Sequence, residues 1–438
     1  MRLMLLVVFG AALTLLSGCS KSVLEERGPY LRAYHTGNLY EAETIETNAI
    51  RQELPQTQFE LSKNSSWLLL DRAMTRFTAG DATGAIEDYS IALVAMDYYS
   101  KRVLGEQAAQ LMLQDEVGAY QAPDYEQVLA RVYFALALLQ NGDQGNAYAI
   151  LRQAEEYQQE KQNFYSKIPF AKQYHVQQNG LSKYLFALLS EKKGDLSNAK
   201  ILYEQAAALI PCSSEVPFAP APSPDLATIL ILCHNGNSPY KISTECPASQ
   251  ASAIALEILM ASSGVRPSCS ALPGIPVPAL CRWPGSNPQP TFAKIGDCRL
   301  PLFPFFNIIR AAEFELEQDR PFIVARGVAR LIIRRAAVSL LENQDPCLRM
   351  IVDCTMFIAN ATTRVDTRSW TTLPAFIDVA RFDVEPGCQT LAIQVEGAGA
   401  EEKIIQLNLK KSELCIINVF NLHPGVRRFV VPFRYLAN

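Results

Sequence analysis

The strongest constraint on this chain is a pattern that recurs through its first half. In Ala73, Phe77, Gly80, Asp81, Ala85, Tyr89 and Ala92, small residues stand where two antiparallel helices must approach closely. Gly-Asp makes the connecting turn, and the aromatic fills the gap to the next helix pair. The grid returns as Ala135, Gly142, Asp143, Ala147, Leu151, Ala154, and again as Ala187, Gly194, Asp195, Ala199, Tyr203, Ala206. A weaker copy is Gly37, Asn38, Ala42, Glu46, Ala49, and Pro211 stops the last helix. The spacing between turn glycines is unequal, so residues 24–211 read as helical hairpins with insertions near 114–124 and 161–180. A generic helical bundle with Ala at its helix contacts would carry the same residues.

An array of hairpins offers its inner face to a protein or peptide. The register turns Trp67, Leu70, Met74 and Phe77 of one hairpin, and Leu181, Tyr184 and Leu188 of another, toward that face. Apolar residues at helical spacing serve equally as internal packing.

The first nineteen residues bear on location. Arg2 precedes an apolar run from Met4 to Leu16, which ends in Leu16-Ser17-Gly18-Cys19. A run of about 7–15 apolar residues suits a signal segment and falls short of the roughly 20 needed to span a bilayer. The tetrapeptide resembles a bacterial lipoprotein signal, which implies cleavage after residue 18 and lipid on Cys19; an uncleaved tail with a chance cysteine is the alternative. By similarity to lipoprotein sorting in enteric bacteria, Ser20 rather than Asp after the cysteine implies the outer membrane, facing the periplasm. The lipid makes the membrane one partner, whereas a formal charge of −4 argues against nucleic acid.

The other ten cysteines, Cys212, Cys233, Cys246, Cys269, Cys281, Cys298, Cys347, Cys354, Cys388 and Cys415, all lie beyond residue 211. In an oxidising compartment they are candidates for disulfides within or between chains; buried free thiols are the alternative. No CxxC pair or HExxH occurs, and His35, His175, His234 and His423 are scattered, so neither metal nor cofactor is expected.

Fifteen of the 26 prolines fall in residues 212–304. That region reads as a strand at 226–233, a turn from His234 to Pro239, a helix at 249–262 and a long ordered loop at 264–304 stapled by cysteines. Residues 305–363 turn helical, most clearly at 327–343. There Arg326, Arg330 and Arg334 form a stripe at i, i+4 and i+8, which is either a solvated face or a site for an anionic partner. Asp366, Arg368 and Trp370 mark the change from helix to strand, with Trp370 as a buried wedge or Asp366 and Arg368 as a ligand pair. Period-two runs at 376–384, 389–396, 403–409 and 414–420 then read as an antiparallel β-meander. The chain carries no GxSxG, GxxxxGK[ST] or GxGxxG. It therefore reads as non-catalytic; the alternative is an enzyme acting on envelope glycan or peptidoglycan with its site in 212–438.

These features together, with His234-Asn235-Gly236, Ser238-Pro239-Tyr240-Lys241, Leu373-Pro374, Ala380-Arg381 and Pro386-Gly387, resemble an uncharacterised family of tetratricopeptide-containing bacterial outer-membrane lipoproteins. Read from the residues, the chain is α+β: a signal peptide (1–18), a tetratricopeptide-like α-helical repeat array (19–211), a proline- and cysteine-rich region (212–304), and helices plus an antiparallel β-meander (305–438). The resemblance implies an outer-membrane location and a tetratricopeptide-containing architecture. It also implies a scaffold or protein-interaction role in envelope assembly or wall synthesis, with an envelope protein or peptide in the helical groove. The family supplies no catalytic residues, and ten cysteines in the mature chain depart from its pattern.

Overall fold

The computed structural model describes residues 23–53, 65–101, 119–167, 174–210, 218–219, 225–245, 275–283, 287–339, 350, 365–397 and 400–437, with seven helical positions between 251 and 262. The first half is built from helix pairs: α1 (Val23–His35) with α2 (Leu39–Glu53), α3 (Ser65–Ala79) with α4 (Ala82–Lys101), α5 (Asp124–Gln140) with α6 (Gln144–Lys167), and α7 (Gly180–Lys192) with α8 (Leu196–Leu209). Each pair turns at a glycine of the recurring grid, at φ of 77° for Gly37, 91° for Gly80, 87° for Gly142 and 84° for Gly194. Only glycine enters that left-handed region without a steric cost. The Asp that follows caps the next helix. Asp81 accepts from the Gly84 N–H at 2.9 Å, Asp143 from Asn146 at 3.0 Å and Asp195 from Asn198 at 3.1 Å. The Gly-Asp signal thus works as two local devices, one ending a helix and one starting the next.

The second half supplies β1 (Ala227–Asn235), β2 (Tyr240–Glu245), β3 (Pro276–Cys281), β4 (Thr291–Ile295), β5 (Cys298–Pro301) and β6 (Phe303–Asn307). Helix α9 (Ile308–Ser339) follows, then β7 (Phe376–Val384), β8 (Gly387–Val395), β9 (Glu401–Leu409), β10 (Leu414–His423) and β11 (Val426–Val430). A five-stranded sheet has the order β11-β10-β1-β7-β6, a four-stranded sheet β5-β4-β8-β9, and β2 pairs with β3 alone. Strand β1 is parallel to β10 and antiparallel to β7.

Strand alternation sets the layers. Ile229, Ile231 and Cys233 of β1 pack with Leu391, Ile393 and Leu407 of the four-stranded sheet. Leu230 and Leu232 face the opposite way, into a core shared with the helices. The five-stranded sheet is therefore the middle of three layers, buried on both faces, and β1 accordingly reads as the near-continuous apolar run Ala-Thr-Ile-Leu-Ile-Leu-Cys.

Successive hairpins lie across successive strands. The Gly37 turn accepts a hydrogen bond from Arg428 of β11 at 2.8 Å. Phe77 meets Phe420 of β10 edge-on at 5.6 Å, Tyr133 meets His234 of β1 at 5.4 Å, and Tyr184 meets Phe305 of β6 at 4.9 Å.

Three expectations are corrected. The runs at 376–420 do not form one meander: β7 and β10 lie in the middle sheet, separated by β1, while β8 and β9 form a hairpin in the outer sheet. Period-two patterning reports which faces are buried and carries no information on partners. Residues 264–304 hold four strands instead of a loop; their prolines sit in β3, β5 and β6, which are edge strands where a missing N–H costs no ladder bond. Within the region 305–363 expected to be helical, α9 runs from Ile308 to Ser339 and continues through Pro321. The regions 212–304 and 305–438 are interleaved in both larger sheets, so residue 304 divides nothing.

A candidate binding cleft

The residues assigned to a partner-binding groove are internal. Trp67, Leu70, Met74, Phe77, Tyr184 and Leu188 are all buried in the core that the hairpins share with the middle sheet. The chain's own sheet and the segment around Trp370 cover that inner face. Trp370 is 1% exposed and packs edge-on against Tyr133 at 5.6 Å and Tyr89 at 6.1 Å, as a wedge should. Its indole N–H donates to Thr372 Oγ1 at 3.1 Å, and its backbone N–H to Glu126 at 3.2 Å. Asp366 and Arg368 form a local two-point pair at 2.7 and 2.8 Å with Arg368 buried, which places them in the junction.

The arginine stripe is broken: Arg326 is exposed and Arg330 is buried, which removes its middle charge from the surface, while the side chain of Arg334 lies outside the described residues. Cys233, Cys281, Cys298, Cys388 and Cys415 are free thiols within the chain, Cys233 and Cys415 being buried and Cys298 and Cys388 exposed. Cys212, Cys246, Cys269, Cys347 and Cys354 lie outside the described residues, as does Cys19.

A different concavity remains open. A cleft of about 750 Å³ lies between the last helical hairpin and the β layers. Gly180 and Leu209 border it from the hairpin, Gln289 and Thr291 from the approach to β4, Phe305 and Phe306 from β6, Arg310 and Phe314 from α9, and Phe376 and Asp378 from β7. Aromatic side chains with a few polar groups are the usual lining of a small-ligand or peptide site.

Strand alternation places the polar groups. On β7, Ile377 and Val379 point to the helices, whereas Asp378 shares parity with Ala380 and Phe382, which face the outer sheet. Asn235 on β1 and Asn421 on β10 have the same parity as Cys233 and Val419. The Asn421 amide donates to Asn235 Oδ1 and the Asn235 amide donates to Asp378 Oδ2, a polar chain running across three strands. Asp378 is 6% exposed, and burial pushes its carboxyl up to about 6, the Asn235 amide partly offsetting the effect. Beside it, burial raises the Cys233 thiol well above its ordinary value, so this sulfur is no nucleophile at neutral pH. Burial also lowers His234 to about 4; its ring is neutral, held between Tyr133 Oη at 2.9 Å and Asn418 Oδ1 at 3.1 Å.

Asp378 and Asn421 belong to no motif, and Asn235 enters the sequence reading only within His234-Asn235-Gly236, with no role of its own. The available signal is parity: each is a polar residue on an otherwise apolar face of its strand. Within the described residues no group of three His, Cys, Asp or Glu is placed to hold a metal ion, and no helix is long and apolar enough to cross a membrane. No family model, curated protein or solved structure matches the chain.

Proposed function

We propose that this chain is a non-catalytic interaction module of the bacterial cell envelope, lipid-anchored at Cys19 in the outer membrane, whose helical half is a degenerate tetratricopeptide array. Its partner is an envelope protein or peptide that docks at the cleft beside Asp378 instead of in the hairpin groove. The observation that carries this reading is the covering of the hairpins' inner aromatic face by the chain's own sheet, with the 750 Å³ cleft left open at the last hairpin. The leader ending in Leu16-Ser17-Gly18-Cys19 supports the anchor. Asp378 is the one carboxyl among the described residues of the cleft lining, whereas glycoside hydrolysis ordinarily uses two, which favours binding over an envelope hydrolase.

Two measurements test it. Mass spectrometry of the protein extracted from membranes should find an acylated Cys19 as its first residue; an unmodified Cys19 behind an intact 1–18 segment would remove the anchor. A photo-crosslinking residue at Phe314, at the cleft mouth, should capture a discrete envelope partner in cells, while one at exposed Tyr40 on the first hairpin should not. Equal capture at both positions would remove the cleft from the account, and shortening of isolated wall sacculi by purified protein would replace binding by hydrolysis.

A further inference from the structure

We propose that the cleft recognises a primary ammonium group on an apolar body, the ammonium seated on the Asp378 carboxylate and the body against Phe305, Phe306 and Phe376. The inference rests on the cleft being the docking site and names the chemistry that docks there.

The other buried carboxyls among the described residues have a cation or a donor on both oxygens; Glu46 leaves Oε1 without a donor but pairs through Oε2 with Arg27. Asp71 pairs with Arg27 at 2.7 Å, Asp88 with Arg72 at 2.7 Å and Glu191 with Arg381 at 2.8 Å. Glu126 and Glu315 lack such a cation, and donors reach both of their oxygens. Tyr120 and the Trp370 N–H serve Glu126, and the Asp124 and Tyr125 N–H groups serve Glu315. Asp378 differs from all of these. It receives one neutral amide, from Asn235 on Oδ2, and among the described residues neither a lysine nor an arginine pairs with it and no donor reaches Oδ1. A nine-tenths buried carboxyl with one free oxygen, set in the wall of an open cleft, is a place where a cation from outside gains a full charge partner.

The surroundings choose the cation. Aromatic faces attract a positive charge and bury apolar stem. A guanidinium prefers both carboxylate oxygens at once, and Oδ2 is already taken; a compact ammonium fits the single free oxygen. An anionic ligand would meet the carboxylate itself.

Isothermal titration of the full chain with 2-phenylethylammonium and with neutral 2-phenylethanol tests the idea. The ammonium should bind at least tenfold more tightly at pH 7.5, and its affinity should fall about tenfold per pH unit once Asp378 protonates below about pH 6. The other groups around Asp378 are Cys233 and Asn235 on β1, Thr291 on β4, Arg310 on α9, and Arg427, which pairs with Glu401 at 3.5 Å. Over pH 5–8 the raised Cys233 thiol stays protonated; His423→Asn, at the end of β10, should retain the profile. Asp378→Asn should abolish the preference for the charged probe. The wild-type contrast between the two probes stands even if that variant fails to fold. Equal binding of the alcohol, unchanged binding in folded Asp378→Asn, or no binding of the ammonium overturns the proposal, and the crosslinking result at Phe314 is independent of all three. A tripeptide with a free N-terminus and no lysine, compared with an N-acetylated one carrying lysine, separates a terminal from a side-chain amine.

Discussion

Arg381 on β7 and Glu191 near the end of α7 form a two-point ion pair, at 2.8 and 3.1 Å, between the middle sheet and the last hairpin. The arginine side chain is 0% exposed and is shared with Asp383 at 3.0 Å and Tyr203 Oη at 2.9 Å. Nothing short of this guanidinium fork reaches all three groups.

Removing it should be expensive. Arg381→Ala leaves Glu191 buried without its cation and should destabilise the chain by about 3–5 kcal/mol. Arg381→Lys should recover only part of that, because an ammonium cannot match the fork. Urea midpoints decide this, and a loss below about 1 kcal/mol for the alanine variant would show that the pair is not a joint.

Phe77 and Phe420 bridge the same two layers through apolar contact. Each truncation to alanine should cost about 3–5 kcal/mol, and the double variant less than the sum, since both open one cavity. Additive losses in chemical denaturation would mean that the rings do not share a packing site.

Two buried groups pull the pH dependence of stability in opposite directions. His234, held near 4, binds fewer protons folded than unfolded between about pH 4 and 6.5. Its contribution is complete above 6.5 and is lost as pH falls through that window. Asp378, raised to about 6, binds more protons folded than unfolded between about pH 4 and 6, so its contribution is present in acid and is lost as pH rises. Denaturation at pH 4.5, 5.5 and 6.5 should therefore shift the slope of stability against pH downward for His234→Gln and upward for Asp378→Asn, each relative to wild type. His35, near 4 through burial, acts in the direction of His234, whereas Glu46, raised to about 7 by burial, and Asp319, raised to about 6, act in the direction of Asp378. The same direction of change in both variants would contradict these assignments.

Asp71 on α3 ties down the segment after Trp370. It accepts from Arg27 at 2.7 Å, from the Thr371 and Thr372 hydroxyls at 2.8 Å each and from the Thr372 N–H at 3.0 Å. Asp71→Ala should cost about 3–5 kcal/mol and raise hydrogen exchange at residues 370–372 more than in β1. A uniform increase across both segments would indicate global loosening instead of a local clasp.

What the sequence made legible was local. Gly37, Gly80, Gly142 and Gly194 mark the turns because a left-handed residue and an Asp or Asn cap leave their signature within four positions. The wedge role of Trp370 was readable from its place between helix and strand. Long-range pairing was not. β1 joins β10 and β7, each well over a hundred residues away, and nothing in Ile229 or Leu230 specifies Ile416 or Arg381 as a neighbour. The groove failed for the same reason: Trp67 and Tyr184 are apolar on one helical face whether a partner or the chain's own sheet covers them. Asp378 was hidden because its chemistry comes from neighbours that only the sheet assembles.

The position of β1 sets a clock on biogenesis. Its parallel neighbour β10 is translated roughly 180 residues later, about 10–35 s at the usual 5–20 residues per second. Throughout that interval Phe77 lacks its cover, Phe420 of β10, whereas Tyr133 and Tyr184 find His234 of β1 and Phe305 of β6 earlier. A nascent chain of this design keeps an uncovered aromatic face at its second hairpin until β10 emerges, and one truncated before Leu414 never covers it.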